Sequence, residues 1–289
     1  MRTYEEFKEA LAQNVAERLG DTVEVSINTV RKPNATEEQI TMRKKGSSIA
    51  PSFDLGTLYG PHKSGASVEE IAEKLVASLE DIPAGIQMPL LTKEEARENL
   101  FYQMVSAEKN RHLLAECPHR GVGNTDLVLV LRWKVGEGGS FLVKNGIAEQ
   151  IGAEMEELFK MADDTLAAVE YRFKKLQEVL AEMMGMDFGE SPLPDNGLHL
   201  LTNENGEFGA SVIAKPGILK EIRKKIGTDF FILPSSVHEL LIVPDSGENS
   251  AQELAAMVRE INQTEVAPKD VLSDHVYRCG TDGEVYTVL

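Results

Sequence analysis

Two serines, a histidine and a carboxylate lie within five residues in the stretch FFILPSSVHELLIVPDS. Ser235 or Ser236 could act as a nucleophile, with His238 as its general base. A carboxylate from elsewhere in the chain, such as Asp274, would then orient the imidazole. This combination predicts a hydrolase or a transferase as one alternative for the function.

The same stretch also has the pattern of a turn between two strands. Neighbouring side chains on a strand point to opposite faces, so His238 and Glu239 would diverge. Proline followed by two serines is typical of turns, in which hydroxyls bond to nearby backbone groups. The apolar flanks DFFIL and ELLIV are strand-like. We therefore favour the turn, with Ser235, Ser236, His238 and Asp274 kept as candidate catalytic residues.

A second candidate site lies in AECPHRGVGNTDL, where Cys117 and His119 could form a nucleophile pair and Arg120 could contact an anion. No cysteine-hydrolase signature surrounds them. The simpler interpretation is a loop that leads into a buried strand, with Arg120 and Asp126 paired. The sequence favours this loop.

The sequence predicts no metal and no cofactor. Its six histidines form neither a HExxH motif nor paired spacing with cysteines, although Asp274 stands beside His275. A metal held by His119, His238 and His275 has no positive support. The stretches GVG at 121–123 and GEGG at 136–139 have neither a Walker lysine nor the GxGxxG spacing of phosphate-binding loops.

Composition limits the class of protein. The formal charge of −17 disfavours contact with phosphate backbones and anionic lipid, so nucleic acid is not an expected partner. Two cysteines form no disulfide framework and fit a reducing compartment. We find no signal peptide and no apolar run of membrane-spanning length, which predicts a cytoplasmic protein.

The first 88 residues predict an N-terminal α+β domain. Apolar residues from Tyr4 to Leu19 recur at helical spacing, and Gly20 follows them. TVEVSINTV alternates as a half-buried strand and can pair with QITMRKKG across a polar turn. SSIAPSFDLGTLYGPHKSGAS contains a loop, and Ser67 with Glu70 forms a capping-box pattern before a further helix.

Residues 89–289 predict a C-terminal α+β domain, separated by the linker candidate IPAGIQMPLL with its prolines at 83 and 89. Thr92 and Glu95 open a helix that carries Leu100. DLVLVLRW predicts a strand covered on both faces, and FLV can return beside it. Residues 147–184 contain no proline and predict a long helical segment, with Phe173 on its apolar stripe.

Strands in adjacent pairs mark the last hundred residues. Asn205–Gly206 predicts a hairpin between LHLLT and FGASVIA. The helix KPGILKEIRKKIG precedes the strand pair DFFIL and ELLIV, and a helix capped by Ser250 and Glu253 follows it. A final hairpin would turn at Asp282–Gly283. This order predicts an α+β fold with largely antiparallel sheets, packed helices and two lobes.

Several stretches resemble a family of uncharacterised proteins common in anaerobic gut bacteria, the domain of unknown function 5688. They are GASVIAKPGILKEI, FFILPSSVHELLIVPD, MVREINQTEVAPKDVLSDHVY and PHRGVGNTDLVLVLRW, with MRTYEEFKEAL, VSINTVRKPN and SSIAPSFDL near the N-terminus. The resemblance implies a bacterial cytoplasmic protein of one architecture. It supplies no activity, cofactor or catalytic residue.

For function, the sequence favours a non-enzymatic protein that binds a macromolecular partner or associates with itself. An acidic partner for a basic protein surface is one form of this hypothesis, and its binding would weaken with added salt. The Ser/His/carboxylate hydrolase or transferase remains the alternative. Whether the chain is an enzyme, and which small-molecule ligand it takes, stay open.

Overall fold

A computed structural model describes residues 2–46, 50–79, 91–136, 139–185, 197–281 and 283–289. The chain divides into two compact units, Met1–Leu90 and Leu91–Leu289. The predicted linker at 82–91, with both of its prolines, lies outside the described residues except for Leu91. The predicted domain boundary at residue 88 and Asp282 also lie outside them. Each unit combines helices with antiparallel strands, so the predicted α+β class is confirmed.

In the described part of the N-terminal unit, three helices share a hydrophobic core with the sheet. They are α1 (Tyr4–Leu19), α2 (Leu55–Lys63) and α3 (Val68–Ser78). Helix α1 begins at a capping box of Thr3 and Glu6 and ends at Gly20, whose φ of 59° is accessible to glycine. Helix α3 begins at the predicted capping box of Ser67 and Glu70. Helix α2 lies in the stretch that was predicted to contain a loop, and no helix was predicted there.

The sheet of this unit has the order β1-β2-β3. Its strands are β1 (Val23–Lys32), β2 (Ala35–Lys44) and β3 (Ser52–Asp54). The predicted β1–β2 hairpin is confirmed, and it turns at Asn34 with a φ of 58°. Ile40 and Met42 of β2 are fully buried with Phe7 and Leu11 of α1. The alternating pattern therefore places one face of the sheet against the helices.

The first sheet of the C-terminal unit is built around one buried strand. Its strands are β4 (Leu100–Ser106), β5 (His119–Gly121), β6 (Leu127–Val135) and β7 (Gly139–Leu142). Strand β6 pairs antiparallel with the other three, and its residues 127–131 are all buried as predicted. Strand β4 was not predicted. The preceding helix ends at Asn99, and Leu100 pairs with Trp133 instead of continuing the helix.

A six-stranded antiparallel sheet completes the unit, in the order β13-β12-β10-β11-β9-β8. The strands are β8 (Tyr171–Lys175), β9 (His199–Asn203), β10 (Phe230–Leu233), β11 (Leu240–Pro244), β12 (Tyr277–Cys279) and β13 (Val285–Thr287). Pairing of β10 with β11 and of β12 with β13 confirms the last two strand pairs expected from sequence. A parallel bridge between Asn124 and Tyr286 links β13 to the segment before β6.

Helices pack on both sheets of the C-terminal unit. They are α4 (Lys93–Asn99), α5 (Arg111–Leu114), α6 (Ile147–Ile151), α7 (Met155–Ala168), α8 (Leu176–Met184), α9 (Ile218–Ile226) and α10 (Ala251–Thr264). Strand β10 divides its side chains between two cores. Phe230 and Ile232 join the main core with Trp133, while Phe231 and Leu233 pack against α10.

The predicted long helical segment at 147–184 is wrong in its continuity. Gly152 ends α6 with a left-handed φ of 69°. Tyr171–Lys175 then forms β8, because this stretch pairs with β9 along five residues. Phe173, expected on a helical stripe, stacks on His199 of β9 with ring centroids 4.9 Å apart. Tertiary strand pairing overrides the helical pattern here.

The predicted hairpin after β9 is also wrong in its second strand. Gly206 does turn with a φ of 69°, but Gly209–Ala214 forms a 3-10 helix. A Cβ on Gly209 would overlap Thr202 Oγ1 and the carbonyl of His238, so the backbone must pass very close to these groups.

Among the described residues, every helix is too short or too polar to cross a bilayer.

Candidate functional site

The Pro-Ser-Ser segment forms the turn between β10 and β11. Ser236 Oγ donates to Glu239 Oε1 at 2.7 Å and accepts from the backbone N–H of His238 at 3.0 Å. Ser235 Oγ donates to the same carboxylate oxygen at 3.2 Å. Ser236 is buried, and Ser235 lines a cavity of about 20 Å³, the space of roughly one water molecule. Both hydroxyls therefore bond within the turn itself.

The imidazole of His238 bonds to other groups. Its Nδ1 accepts from the backbone N–H of Phe208 at 3.2 Å, and Nε2 lies 3.5 Å from Asp270 Oδ1. The ring also stacks on Phe208. Among the described residues, no hydrogen bond joins this ring to the hydroxyl of Ser235 or Ser236.

Asp274 lies in a different set of contacts. Lys109 Nζ and Asn262 Nδ2 each donate to its carboxylate at 2.8 Å. Partial burial opposes ionisation, but these two hydrogen bonds outweigh it and hold the pKa of Asp274 below its usual value. Neither candidate serine is among its partners in the described part of the chain.

Cys117 and His119 meet through a backbone group. His119 Nδ1 lies 3.1 Å from the carbonyl oxygen of Cys117. The thiol is buried, and desolvation raises its pKa, which favours the protonated form over the nucleophilic thiolate. The contact thus orients the loop without activating the sulfur.

The expected pairing of Arg120 with Asp126 is wrong. Arg120 donates to Asp163 Oδ2 at 2.9 Å and to Glu156 Oε1 at 3.0 Å, because its side chain extends over Phe159 of α7. Tyr102 donates to the other oxygen of Asp163 at 2.7 Å. Helix α7 therefore supplies the carboxylates for this arginine.

Asp126 instead accepts hydrogen bonds from three hydroxyls. Ser106 and Ser273 donate to Oδ2 at 2.9 and 3.0 Å, and Tyr277 donates to Oδ1 at 2.6 Å. Burial, followed by the charge of Asp126, raises the pKa of Tyr277. His275 Nδ1 lies 3.3 Å from Oδ1. We call Ser106, Asp126, Ser273, His275 and Tyr277 the Asp126 cluster.

The sequence contained one signal for this cluster. Ser273, His275 and Tyr277 recur at every second residue, which places them on one side of an extended segment, while Asp274 points to the other side. Asp126 could not be added from spacing, since it precedes Ser273 by 147 positions. The three histidines considered for a metal have separate partners. His119 lies against the carbonyl of Cys117, and His238 contacts Phe208 and Asp270. His275 belongs to the Asp126 cluster.

A cavity of about 370 Å³ opens elsewhere on the C-terminal unit. It lies between the segment after β5, the start of α9 and the start of β13. The side chains that give it charge are Arg120, Asp163, Lys215, Lys220 and Glu284, and its glycines are 121, 123, 217 and 283. Its volume falls in the roughly 300–1,000 Å³ range of small-molecule sites.

Glycine shapes the floor of this cavity at Gly123. Its φ is 54°, and a Cβ there would overlap the carbonyl oxygen of Val285. The backbone N–H of Asn124 donates to that same carbonyl at 2.9 Å. A side chain at residue 123 would thus separate the segment after β5 from β13.

The start of α9 faces the cavity without a side-chain cap. Its N-cap is Gly217, which has no side chain to accept from the first-turn N–H groups, and Gly217, Leu219 and Lys220 all line the cavity. Uncapped N–H groups and the positive end of the helix dipole attract anions. Lys220 is exposed, lines the cavity and forms no ion pair with another described residue.

The chain has an antiparallel α+β architecture in two compact units. It matches the model of a family of unknown function (DUF5688) over residues 4–279 and belongs to that family. No curated protein and no solved structure matches the chain. This match confirms the family resemblance seen in the sequence. The function of the family is unknown.

Proposed function

We propose that the C-terminal unit binds a small anionic ligand, bearing a carboxylate or a phosphate group, in the cavity beside α9. The observation that carries this proposal is the cavity of about 370 Å³ into which the uncapped start of α9 opens beside Lys220. Ligand pockets of this size usually combine apolar walls with a few charged groups. Here Val122, Leu129 and Ile213 supply apolar wall.

The charges of the lining favour an anion over a cation. The cavity lining has three cationic side chains and two acidic ones, namely Arg120, Lys215 and Lys220 against Asp163 and Glu284. The lining therefore has an excess of one cation in a chain of net charge −17. Asp163 already accepts from both Arg120 and Tyr102, and the charge of the Arg120 guanidinium offsets its own. Lys215 Nζ donates to the carbonyl oxygens of Ala167 and Val169 at the end of α7.

Charge reversal at one lysine tests the proposal, with a second lysine as the control. A panel of phosphate- and carboxylate-bearing small molecules is first screened by ligand-detected NMR. Lys220→Glu removes a charge-assisted contact of roughly 1.5–3 kcal/mol, so the affinity for a bound member falls about 10- to 100-fold. Lys224 is exposed on the same helix and does not line the cavity, and Lys224→Glu leaves affinity almost unchanged.

The sequence-based prediction of a macromolecular partner is a separate proposal. The charge of −17 supports it, because an acidic surface suits a basic partner. Such binding weakens with salt, because the distance over which charges act falls to about 8 Å at physiological ionic strength. A pull-down that recovers a partner at low salt and loses it at high salt would support this proposal, and an empty pull-down at low salt would refute it.

We also propose a bacterial cytoplasmic location. Cys117 and Cys279 are both buried and form no disulfide in the described structure, as expected for a chain that folds in a reducing compartment. Fractionation of a host that expresses the protein tests the location. Recovery with the cytoplasmic fraction is expected, and recovery outside the cell would contradict the proposal.

A further inference from the structure

Glu108, Asp126 and His275 form a group suited to a divalent metal ion. Each offers one ligand atom, and the three atoms lie within 4.8 Å of one another. We propose that this group binds a divalent transition-metal cation of the zinc class. Imidazole nitrogen and carboxylate oxygen are ordinary ligands for such ions. The inference is independent of the anion cavity, which none of these residues lines.

The distance between two of the ligand atoms fits a bound cation. Asp126 Oδ1 and His275 Nδ1 are 3.3 Å apart. A charge-assisted N–H···O hydrogen bond is shorter, roughly 2.7–2.9 Å. Two ligands that each lie about 2.1 Å from a tetrahedral zinc ion are separated by ~3.4 Å. The two atoms are therefore already at the separation that the ion requires.

The Asp126 cluster leaves one position of the carboxylate for a metal. An ionised carboxylate has about four acceptor positions. Ser106 and Ser273 occupy both positions on Oδ2, and Tyr277 occupies one on Oδ1. The remaining position lies on Oδ1, the oxygen nearest His275. Outer hydrogen bonds of this kind orient the ligands of metal sites in proteins.

The imidazole is fixed by its own backbone. The N–H of His275 donates to Ser273 Oγ at 3.2 Å, and the same hydroxyl oxygen lies 3.3 Å from Nδ1. The Ser273 hydroxyl donates its proton to Asp126 and therefore does not donate to Nδ1 of His275. In a neutral ring, this hydroxyl thus leaves the Nδ1 lone pair for a metal ion. Glu108 is exposed and can close on the ion from the solvent side. Three protein ligands leave a fourth position open, as in catalytic zinc sites.

Few other groups in the described structure compete for such an ion. Both thiols are buried, and no second group of three histidine, cysteine or acidic ligands is found among the described residues. His112 is exposed and lies outside the cluster, so it provides a matched histidine control. Glu98, exposed on α4, provides a matched glutamate control.

The experiment titrates the untagged full chain with zinc chloride by calorimetry and with cobalt(II) by visible spectroscopy. Wild type is expected to bind one ion, with the absorption of a low-coordinate cobalt site. His275→Ala weakens binding at least about tenfold and abolishes the cobalt bands, and Glu108→Gln weakens binding by a smaller factor. His112→Ala and Glu98→Gln bind like wild type.

Two results would overturn the metal site. One is the absence of binding by wild type in either titration. The other is a His275→Ala protein that binds zinc as tightly as wild type, which would place the ion elsewhere. Circular dichroism and the fluorescence of Trp133 show whether each variant remains folded, so a loss of binding through unfolding is recognised.

Discussion

Replacing Tyr277 by Phe tests how strongly the Asp126 cluster holds the C-terminal unit together. The ring stays in place and no cavity forms, so the change removes only the hydroxyl that donates to Asp126 Oδ1 at 2.6 Å. Tyr277 is fully buried, and the Asp126 side chain is 10% exposed. Hydrogen bonds to charged groups contribute roughly 1.5–3 kcal/mol. The free energy of unfolding should fall by about that amount.

Urea unfolding followed by fluorescence measures this loss. Trp133 is the one tryptophan of the chain and lies fully buried in the main core of the C-terminal unit. With a dependence of about 3 kcal/mol per molar urea, the midpoint should fall by roughly 0.5–1 M. Tyr171→Phe is the control, since its hydroxyl meets Lys225 at 3.4 Å on an exposed surface. A Tyr277→Phe midpoint no lower than that of the control would refute the reasoning.

The same variant has a defined pH dependence. Burial raises the pKa of Tyr277 in the folded state, whereas the unfolded side chain titrates near pH 10. The stabilisation is therefore complete below about pH 10 and is lost above it, by ~1.4 kcal/mol per pH unit. The difference between wild type and Tyr277→Phe should narrow above pH 10. A constant difference from pH 7 to 11 would contradict this assignment.

Three further predictions follow from particular residues. Gly123→Ala should destabilise the C-terminal unit by about 1–3 kcal/mol in urea unfolding, while Gly121→Ala, with open space around it, should change little. Ser236→Ala should cost about 1 kcal/mol because it breaks the turn bonds, and a fluorophosphonate probe should label neither it nor wild type; serine-dependent labelling of wild type would instead support the hydrolase alternative. Cys117 and Cys279 should resist a thiol reagent in native protein and react fully in denaturant; rapid native reaction would contradict their burial.

Local signals predicted the elements that local interactions determine. The capping boxes of α3 and α10, the alternation of β1 and its hairpin with β2 involve residues close in the chain, so the sequence shows them directly. Strand β6 was predictable because its apolar run is buried on both faces.

Elements that depend on distant partners were missed. Strand β4 follows a capped helix without a break and becomes a strand by pairing with β6. Strand β8 lies between two helices and is extended because β9 pairs with it. For β4 and β8, tertiary pairing outweighs local propensity. Helix α2 was missed although its signal is local, since its N-cap Asp54 accepts from two nearby backbone N–H groups.

The candidate sites show the same division. The spacing of Ser273, His275 and Tyr277 was available in the sequence, but Tyr277 meets Asp126 across 151 positions. The anion cavity combines segments around Gly121, Gly217 and Gly283, and no motif joins them. Arg120 was recognised from the sequence as a candidate anion contact. Its partners, Asp163 and Glu156, could be identified only from the structure.

The most direct test of the anion cavity is the dissociation constant of one bound phosphate or carboxylate compound, measured for Lys220→Glu and Lys224→Glu together. The two variants carry the same change in net charge on one helix, so they differ in whether the residue lines the cavity. We expect Lys220→Glu to weaken binding at least about tenfold relative to Lys224→Glu. Equal affinities for the two variants would contradict the assignment of this cavity as the ligand site.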